Sequence, residues 1–293
     1  MLIVESGSIS AAARILSTTQ PTVSRKLNML EEKCGASLIY RDTHRMQLTN
    51  AGHQVLADAR SLISLAEESA QRLVENQTQL KGNIRLFSTI DFGQTVVSRL
   101  VAAFSRIHHG VTFSLAYSNR PIRMVEDGSD VGIIAGAITD DSVIAKSLGP
   151  IRRYPVASPA FLKNASVPST PQDLASWPWI ALSNAQFGHP QKLALHASDG
   201  RTETMHITPA IISEGVTSIR EIVKAGVGAA ILPDWLIIDD LKAEHVVRIL
   251  PEWHAENLAA HIVYPVQRHM SQRVSSFIDF ADSYMRSILE RSE

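Results

Sequence analysis

Residues 8–35 constrain the fold more than any other segment, because two short helical patterns there are divided by three consecutive hydroxyl residues, 17–19. Ser8 is placed to cap the first helix, which is rich in alanine, the best helix former. The hydroxyl residues end this helix, since their side chains compete for backbone hydrogen bonds. The second helix tolerates Pro21 in its first turn, and Gly35 is suited to stop it. The segment predicts a helix-turn-helix.

The second helix has an apolar and a polar face. Val23, Leu27 and Leu30 recur at helical spacing and are expected to face inward, and Thr19 is placed as the helix cap. The polar side chains left outside are Gln20, Thr22, Ser24, Arg25 and Asn28. Gln and Asn can pair with adenine, Arg with guanine, and a Thr methyl can contact thymine, while Ser and Arg also hold phosphates. This face indicates DNA binding, although two short helices with polar exteriors also occur in unrelated proteins.

A short hairpin is predicted after the second helix. Residues 38–41 and 46–49 have the pattern of two strands around a polar turn, with Arg41 near the base and Arg45 near the tip. Arginine at the tip of such a wing suits the narrow, negative minor groove of DNA, whereas a surface hairpin with two incidental arginines is the alternative. Because the whole chain has a net charge of only −1, a DNA contact must depend on this local surface.

A long helix is predicted over residues 50–81, which contain no proline and a single glycine at their start. Its apolar or small positions alternate steps of four and three residues, the spacing of a coiled-coil seam. These positions are Val55, Ala59, Leu62, Ala66, Ser69, Leu73, Asn76 and Leu80. The spacing predicts a helix that pairs with a second copy, and an ordinary surface helix is the alternative.

Beyond residue 82, short β-branched or aromatic runs alternate with helical stretches. This alternation predicts parallel strands joined by crossover helices, with a proline-rich stretch marking loops around a second α/β unit. The strand-like runs are 83–88, 111–117, 130–135, 153–157, 179–182, 229–232 and 258–264, and the helical stretches are 93–107 and 218–225.

In these motifs the chain resembles the LysR-type transcriptional regulators. The residues that carry the resemblance are GSISAAARIL (7–16), TQPTVSRKLNMLEEKCGASLIYR (19–41) and LTNAG (48–52), with further matches at 156–162, 170–180, 225–236 and 275–280. The resemblance covers essentially the full chain.

The resemblance implies a multi-domain fold. An all-α winged helix-turn-helix is expected over residues 1–52 and a linker, or dimerisation, helix over 53–82. An α/β two-lobed, periplasmic-binding-protein-like effector domain is expected over 83–293. Lobe one is placed at 83–154 and 258–293, and lobe two at 155–257.

The resemblance also implies the function of a bacterial DNA-binding transcription regulator that responds to a small molecule. The implied partners are double-stranded promoter or operator DNA, a small-molecule co-inducer and further copies of the chain, as a homodimer or a homotetramer of two dimers. The implied DNA-binding residues are Gln20, Pro21, Thr22, Ser24, Arg25 and Asn28 on the helix, with Arg41 and Arg45 on the backbone or minor groove.

The N-terminus departs from the family pattern, in which a further helix begins roughly ten residues upstream. Only Leu2, Ile3, Val4 and Glu5 correspond to that helix here. We expect a start codon assigned too late, with a real truncation of the first helix as the alternative.

Ligands of two-lobed α/β folds bind at the carboxyl ends of strands and the N-termini of helices. Hydroxyls and helix N-termini there suit a carboxylate, so the expected effector is a small, anionic organic molecule. The candidate effector-binding residues are Ser88, Thr89, Ser118, Asn119, Gly136, Ser183, Asn184 and Thr217. Each taken singly has the composition of an ordinary cap or loop residue.

Enzyme chemistry has little support in the sequence, which contains no GxSxG, HExxH or P-loop motif. The single cysteine, Cys34, excludes an intramolecular disulfide and is expected to be a small buried residue. No cofactor or metal site is expected, because His254, His261 and His269 are too scattered.

The chain contains no signal-peptide pattern and no apolar run of membrane-spanning length, so it is expected to be cytoplasmic and without a membrane partner. The competing function is a stand-alone small-molecule binding protein with a non-functional DNA-binding remnant. That protein would need export or a transporter partner.

Overall fold

The computed structural model describes residues 1–41, 46–73, 80–121, 123–183, 191–266 and 270–289. Along the chain, a small helical module with a hairpin is followed by a long helix and then by a larger α/β part in two lobes. This order confirms the predicted multi-domain architecture.

The N-terminal module confirms the predicted winged helix-turn-helix. Its core is Ala12, Ala13 and Val23, against which Leu2 and Ile9 pack. The small alanines allow the helices to approach closely, as expected from the sequence. Its elements are α1 (Leu2–Glu5), α2 (Ile9–Ile15), α3 (Gln20–Cys34), β1 (Ile39–Arg41) and β2 (Met46–Leu48).

The helix ends follow the sequence with one exception. Ser8 caps α2, since its hydroxyl accepts the Ala11 N–H at 3.1 Å, and Gly35 ends α3 in the left-handed conformation with φ of 64°. Thr19 occupies the N-cap position of α3, but its hydroxyl bonds that of Thr22 at 2.9 Å instead of a backbone N–H. The expectation that the Thr19 side chain caps the helix is therefore wrong.

Two further expectations for α3 are wrong in the single chain. Leu30 was expected to face inward, yet it is 43% exposed. Cys34 was expected to be buried, yet it is exposed in the last turn of α3. Val23, by contrast, is buried as expected.

The long helix is α4 (Asn50–Leu73). Leu56 is buried near its start, whereas Leu62 and Ile63 are 66% and 45% exposed. Leu80 lies outside the helix and packs on the core of lobe one, so the predicted seam is wrong at that end. Asn76 lies outside the described residues, and the side chains of Ser69 and Leu73 are not described.

Lobe one has a three-stranded parallel core with the first strand in the middle. Its helices cover the sheet, and Phe104 and Phe277 meet edge-to-face with centroids 5.2 Å apart. The elements are β3 (Gly82–Ser88), α5 (Ile90–Phe92), a π-helical turn (Gly93–Val97), α6 (Ser98–Ile107), β4 (Val111–Tyr117), α7 (Met124–Asp127), β5 (Val131–Ala135) and α11 (Gln272–Leu289).

Two long strands run through both lobes, β6 (Val143–Ala157) and β13 (Trp253–Pro265). They pair antiparallel with each other, and β13 also pairs antiparallel with β5. The predicted lobe boundaries fall inside these strands. The parallel strands predicted from the sequence are present in each lobe, but the antiparallel strands β6 and β13 that run between the lobes do not follow from the pattern of parallel strands and crossover helices.

Lobe two surrounds the other halves of β6 and β13. Its two parallel strands, 179–182 and 209–213, form a separate small sheet, and an antiparallel hairpin that the sequence did not predict joins β13. The elements are α8 (Pro159–Leu162), a 3₁₀ turn (Pro171–Leu174), β7 (Trp179–Leu182), β8 (Lys192–Ala197), β9 (Thr202–His206), β10 (Pro209–Ser213), α9 (Val216–Lys224), β11 (Ala230–Pro233), α10 (Asp234–Lys242) and β12 (Val247–Arg248).

None of the helices within the described ranges is both long and apolar enough to cross a membrane. In the same ranges, no three His, Cys, Asp or Glu side chains come together as a metal-binding group.

Candidate DNA-binding face and effector cavity

The first turns of α3 form a polar, solvent-exposed face. Gln20, Pro21, Thr22, Arg25 and Asn28 are exposed there, and Ser24 is half-buried. On the opposite side of the helix Val23 is buried against α2, so the polar residues are held outward. The structure thus brings together all the predicted DNA-binding residues of this helix on one surface.

Glu31 of α3 accepts hydrogen bonds from the start of the wing. The Glu31 carboxylate accepts the backbone N–H of Leu38 at 2.7 Å and the hydroxyl of Ser37 at 3.2 Å. The strands pair antiparallel, with Arg41 opposite Met46. Arg45 lies outside the described residues, and the Arg41 side chain is not described either. Their predicted DNA contacts stay predictions.

A cavity of about 330 Å³ lies between the two lobes. Its walls come from strand ends and helix starts of both lobes and from β6 and β13, which connect them. Among the predicted effector residues, Thr89 and Asn119 line it. The main apolar walls are Phe92, Trp179, Ile180, Ala181, Ile207 and Trp235.

Two polar side chains of lobe one reach lobe two beside this cavity. Asn119 accepts the Ile90 N–H at 3.1 Å and donates to the carbonyl of Glu214 at 3.3 Å. Asp91 accepts the backbone N–H groups of Val216 at 2.9 Å and Thr217 at 3.3 Å. These bonds hold the lobes together on one side of the cavity.

The other predicted effector residues of lobe one form hydrogen bonds within the protein. Ser88 is fully buried and donates to the Ile133 carbonyl at 2.6 Å, and the Ser118 hydroxyl accepts the Arg120 N–H at 3.1 Å. Gly136 has φ of 113° and donates its N–H to a β13 carbonyl at 2.9 Å.

The lobe-two candidates are less uniform. Ser183 is exposed, and its N–H bonds the Ser213 carbonyl at 2.8 Å. The Thr217 hydroxyl oxygen is buried with no hydrogen-bond partner among the described residues. Asn184 lies outside the described residues. The cavity lining does not include Ser88, Ser118, Gly136, Ser183 or Thr217.

Family comparisons bear on both sites. A model of the bacterial regulatory helix-turn-helix protein, lysR family, matches residues 1–53, and a model of the LysR substrate binding domain matches residues 77–286. The chain belongs to the LysR family. It is a DNA-binding transcription regulator with an effector-binding domain.

Individual relatives of this LysR-type regulator are distant in sequence but alike over their whole length. It is 26% identical to the uncharacterized HTH-type transcriptional regulator YhjC of Escherichia coli, with 98% of this chain and 96% of YhjC covered. It is 28% identical to the probable HTH-type transcriptional regulator LtrA of Klebsiella pneumoniae, covering 95% and 90%. The full-length LysG structure from Corynebacterium glutamicum, with bound effector Arg, superposes with a TM-score of 0.69 at 18% identity, covering 97% and 95%.

Sequence reasoning missed the charged residues of the LysR-type regulator's cavity. Arg153 lines it from β6 and Lys192 from β8, while Asp91, Glu214 and Glu256 supply carboxylates. Burial lowers the pKa of Arg153, and the charge of Glu256 opposes that shift. The available signal was a pair of arginines inside an otherwise apolar strand pattern, at positions 152 and 153.

Proposed function

We propose that this LysR-type regulator reads operator DNA with the first turns of α3 and binds a small organic effector with an anionic group in the interlobe cavity. The observation that carries this proposal is that one chain holds an exposed polar face on α3 and a two-lobed cavity, joined by α4. The proposed DNA contacts are the Gln20, Thr22, Ser24, Arg25 and Asn28 side chains, Pro21 in the first turn, and Arg41 and Arg45 of the wing.

Effector action would be a shift between two arrangements of the lobes. A molecule that contacts both walls of the cavity favours the arrangement in which both contacts are made. Asp91 and Asn119 already bridge the lobes, so the bound molecule acts on the junction that these hydrogen bonds stabilise. Through α4 this change would alter the spacing or bending of the two DNA half-sites.

Pairing of two copies through α4 is part of the proposal. Leu62 and Ile63 are large apolar side chains exposed on this helix, as a seam awaiting a partner would be. Two copies would present two α3 helices to a two-fold related operator, and two such dimers would make a tetramer. Sedimentation analysis of Leu62→Lys should show smaller particles than wild type, and an unchanged mass would contradict the role of α4. We also place this activity in the cytoplasm, where the DNA is.

Operator binding tests the proposal. Fluorescence anisotropy with labelled DNA from upstream of its own gene compares wild type, Arg25→Ala and Lys33→Ala at one fixed salt concentration. Lys33 is the matched control, because it is exposed on the same helix but in its last turn. We expect Arg25→Ala to weaken binding by about tenfold or more and to reduce discrimination against random DNA, as loss of a base-reading arginine does.

The control separates base reading from general charge. Lys33→Ala should weaken specific and random DNA binding by similar, small factors. Equal effects of the two substitutions would contradict the role of Arg25. If wild type binds no DNA while still binding small molecules, the stand-alone binding protein is the better description.

A further inference from the structure

The α9 N-terminus, the place where the sequence predicts an anionic effector group, already holds a carboxylate of the chain itself. Asp91 of lobe one accepts the N–H groups of Val216 and Thr217, the first two residues of α9. A side chain on the preceding Gly215 would lie 3.3 Å from the same carboxylate, so the fit is close. An effector could bind these N–H groups only by displacing Asp91.

A second position in the cavity offers a positive charge with incomplete pairing. Arg153 donates from Nε to the backbone carbonyl of Glu256 at 2.7 Å. Among the described residues, no carboxylate forms an ion pair with its guanidinium. Arg153 is half-buried, and Glu256 acts on it by charge without a direct ion pair, so an anion in the cavity could supply the direct bonds that its guanidinium lacks. Lys192 on β8 lines the same cavity and adds a second positive charge.

The rest of the cavity restricts the shape and charge of the molecule. The lining beside Arg153 is largely apolar, with Trp179, Ile180 and Trp235 among its large side chains. The Glu214 and Glu256 side chains, both on exposed residues, also border it. These carboxylates would repel a second anionic group, so one anionic group on an apolar body fits the charges best.

We propose that the cavity selects small molecules with an apolar body and a single carboxylate-like group, which Arg153 binds and Lys192 assists, while Asp91 excludes that group from the α9 N-terminus. This inference rests on the proposed effector function of the cavity and names the chemical class of its ligand. Arg153 thereby becomes the residue that determines specificity.

A matched pair of probes tests the inference on the full chain. The probes are 1-naphthoate and 1-naphthamide, which share an apolar body and differ in the anionic group. Binding is measured by calorimetry and by tryptophan fluorescence, because Trp179 and Trp235 line the cavity. We expect wild type to bind the naphthoate at least tenfold more tightly than the amide.

Three variants locate the anionic group. Arg153→Gln should lose at least tenfold in naphthoate affinity with little change for the amide, and Arg153→Lys, which keeps the charge, should retain the preference for naphthoate. Arg152→Gln is the control, because Arg152 is adjacent on β6 but does not line the cavity. In Asp91→Asn the side-chain amide oxygen can still accept the α9 N–H groups, so Arg153→Gln should lose naphthoate affinity in that background as well.

The opposite results overturn the inference in distinct ways. Equal affinity for the two probes, or no binding of either, excludes an apolar monoanion as the preferred class. A tenfold gain in naphthoate affinity in Asp91→Asn, with no loss in Arg153→Gln, places the anion at the α9 N-terminus instead. None of these results decides the proposed regulator function, which is tested separately by operator binding.

Discussion

Two aspartates, Asp240 in lobe two and Asp130 where the N-terminal module meets lobe one, have positive neighbours but pKa values shifted in opposite directions. Asp240 on α10 is 3% exposed and is bonded by the side chains of Arg220, Lys224 and His245. Burial alone would raise the pKa of Asp240, but the hydrogen bonds from these three residues outweigh it and lower the pKa to about 2.

Asp130 has positive neighbours too, but they do not satisfy its charge. Burial raises the pKa of its carboxyl above the ordinary value, despite a 2.8 Å hydrogen bond from the Arg85 N–H and the nearby charges of Arg60, Arg85 and Arg273. Burial likewise lowers the pKa of Arg60 on α4. The Nε of Arg60 is buried with no hydrogen-bond partner among the described residues.

The opposite pKa shifts distinguish a strong contact, at Asp240, from a weak one, at Asp130. In lobe two, Asp240 joins α9 to α10 with direct bonds that repay the desolvation of the charges. At the junction of α4 with lobe one, Arg60 and Asp130 lose water and attract each other without a direct ion pair, so the cost of docking is only partly compensated. We expect changes of arrangement between the DNA-binding module and the effector domain to occur at this junction.

Replacement of Asp240 gives the largest expected effect. Asp240→Asn removes the buried carboxylate that Arg220 and Lys224 bond, leaving them the more exposed Glu221. It should lower the free energy of unfolding by about 2–3 kcal/mol in urea at pH 7. Asp239→Asn is the matched control, because Asp239 is the exposed neighbour on the same helix. If both variants lose less than about 0.5 kcal/mol, as surface substitutions do, the view of lobe two as fixed is wrong.

Replacement of Gly128 tests the contact between α4 and lobe one. Gly128 has φ of 63°, and a Cβ there would overlap the guanidinium of Arg60. Gly128→Ala should therefore cost about 1–2 kcal/mol of backbone strain, with a smaller further loss because the flexible Arg60 guanidinium must move away from the added Cβ. Gly200→Ala is the control, since Gly200 has φ of 89° with nothing within 4 Å of the added Cβ.

Urea unfolding gives the loss of unfolding free energy in each variant. The amount by which the loss in Gly128→Ala exceeds the loss in Gly200→Ala measures the contact between Arg60 and Gly128. It should shrink when Arg60 is also replaced by Ala, because the overlapping guanidinium is then gone. An excess that persists in the Arg60→Ala background would show that Arg60 does not hold α4 against lobe one.

Sequence patterns could predict the helix ends and strands that depend on residues near each other in the chain. Ser8 caps the start of α2 through a local hydrogen bond and Gly35 ends α3 through its positive φ, as the sequence predicts. The strand over residues 111–117 also has the bounds that its β-branched and aromatic residues indicate. Local hydrogen bonds and side-chain patterns determine all three.

Contacts between distant segments were beyond sequence reasoning. The sequence predicts an effector-binding residue, Thr217, at the start of α9, but the residue that bonds the N–H groups there, Asp91, lies 125 residues earlier in the chain. Likewise Arg153 faces the cavity only because β6 continues through both lobes, whereas a parallel sheet was expected. No periodicity within one segment reveals which strand lies beside another.

Acid should weaken the lobe-two contact by a smaller amount. The folded pKa of Asp240, about 2, is below its ordinary value of 3.8, so its stabilisation is full above pH 3.8 and is lost as the pH falls through 2. The difference in unfolding free energy between wild type and Asp240→Asn should shrink by about 1 kcal/mol between pH 6 and pH 3. A difference that stays constant or grows on acidification would contradict the lowered pKa.

Replacement of Asp130 should have the opposite sign to that of Asp240. A raised folded pKa means that the stabilising form is the protonated one, and its contribution is lost as the pH rises through the folded pKa. Asp130→Asn imitates the protonated form and keeps an acceptor for the Arg85 N–H. At pH 7 its free energy of unfolding should be unchanged or higher by up to about 1 kcal/mol. A loss of about 2 kcal/mol would mean that the arginines satisfy Asp130 after all.

The smallest effect is expected at the exposed edge of the same junction. Glu5 of α1 and Arg85 of β3 form an ion pair at 3.7 Å, with side chains 39% and 30% exposed. A double-mutant cycle of Glu5→Gln and Arg85→Gln should give a coupling below about 0.5 kcal/mol that fades in 0.5 M salt. If the Glu5–Arg85 coupling is weak and Gly128→Ala still loses more unfolding free energy than Gly200→Ala, the packing of Arg60 over Gly128 contributes more to the junction than the ion pair. A coupling above about 1 kcal/mol that persists in salt would instead show that the Glu5–Arg85 pair is a strong direct contact. The junction would then resemble the Asp240 cluster of lobe two, and the comparison would be wrong.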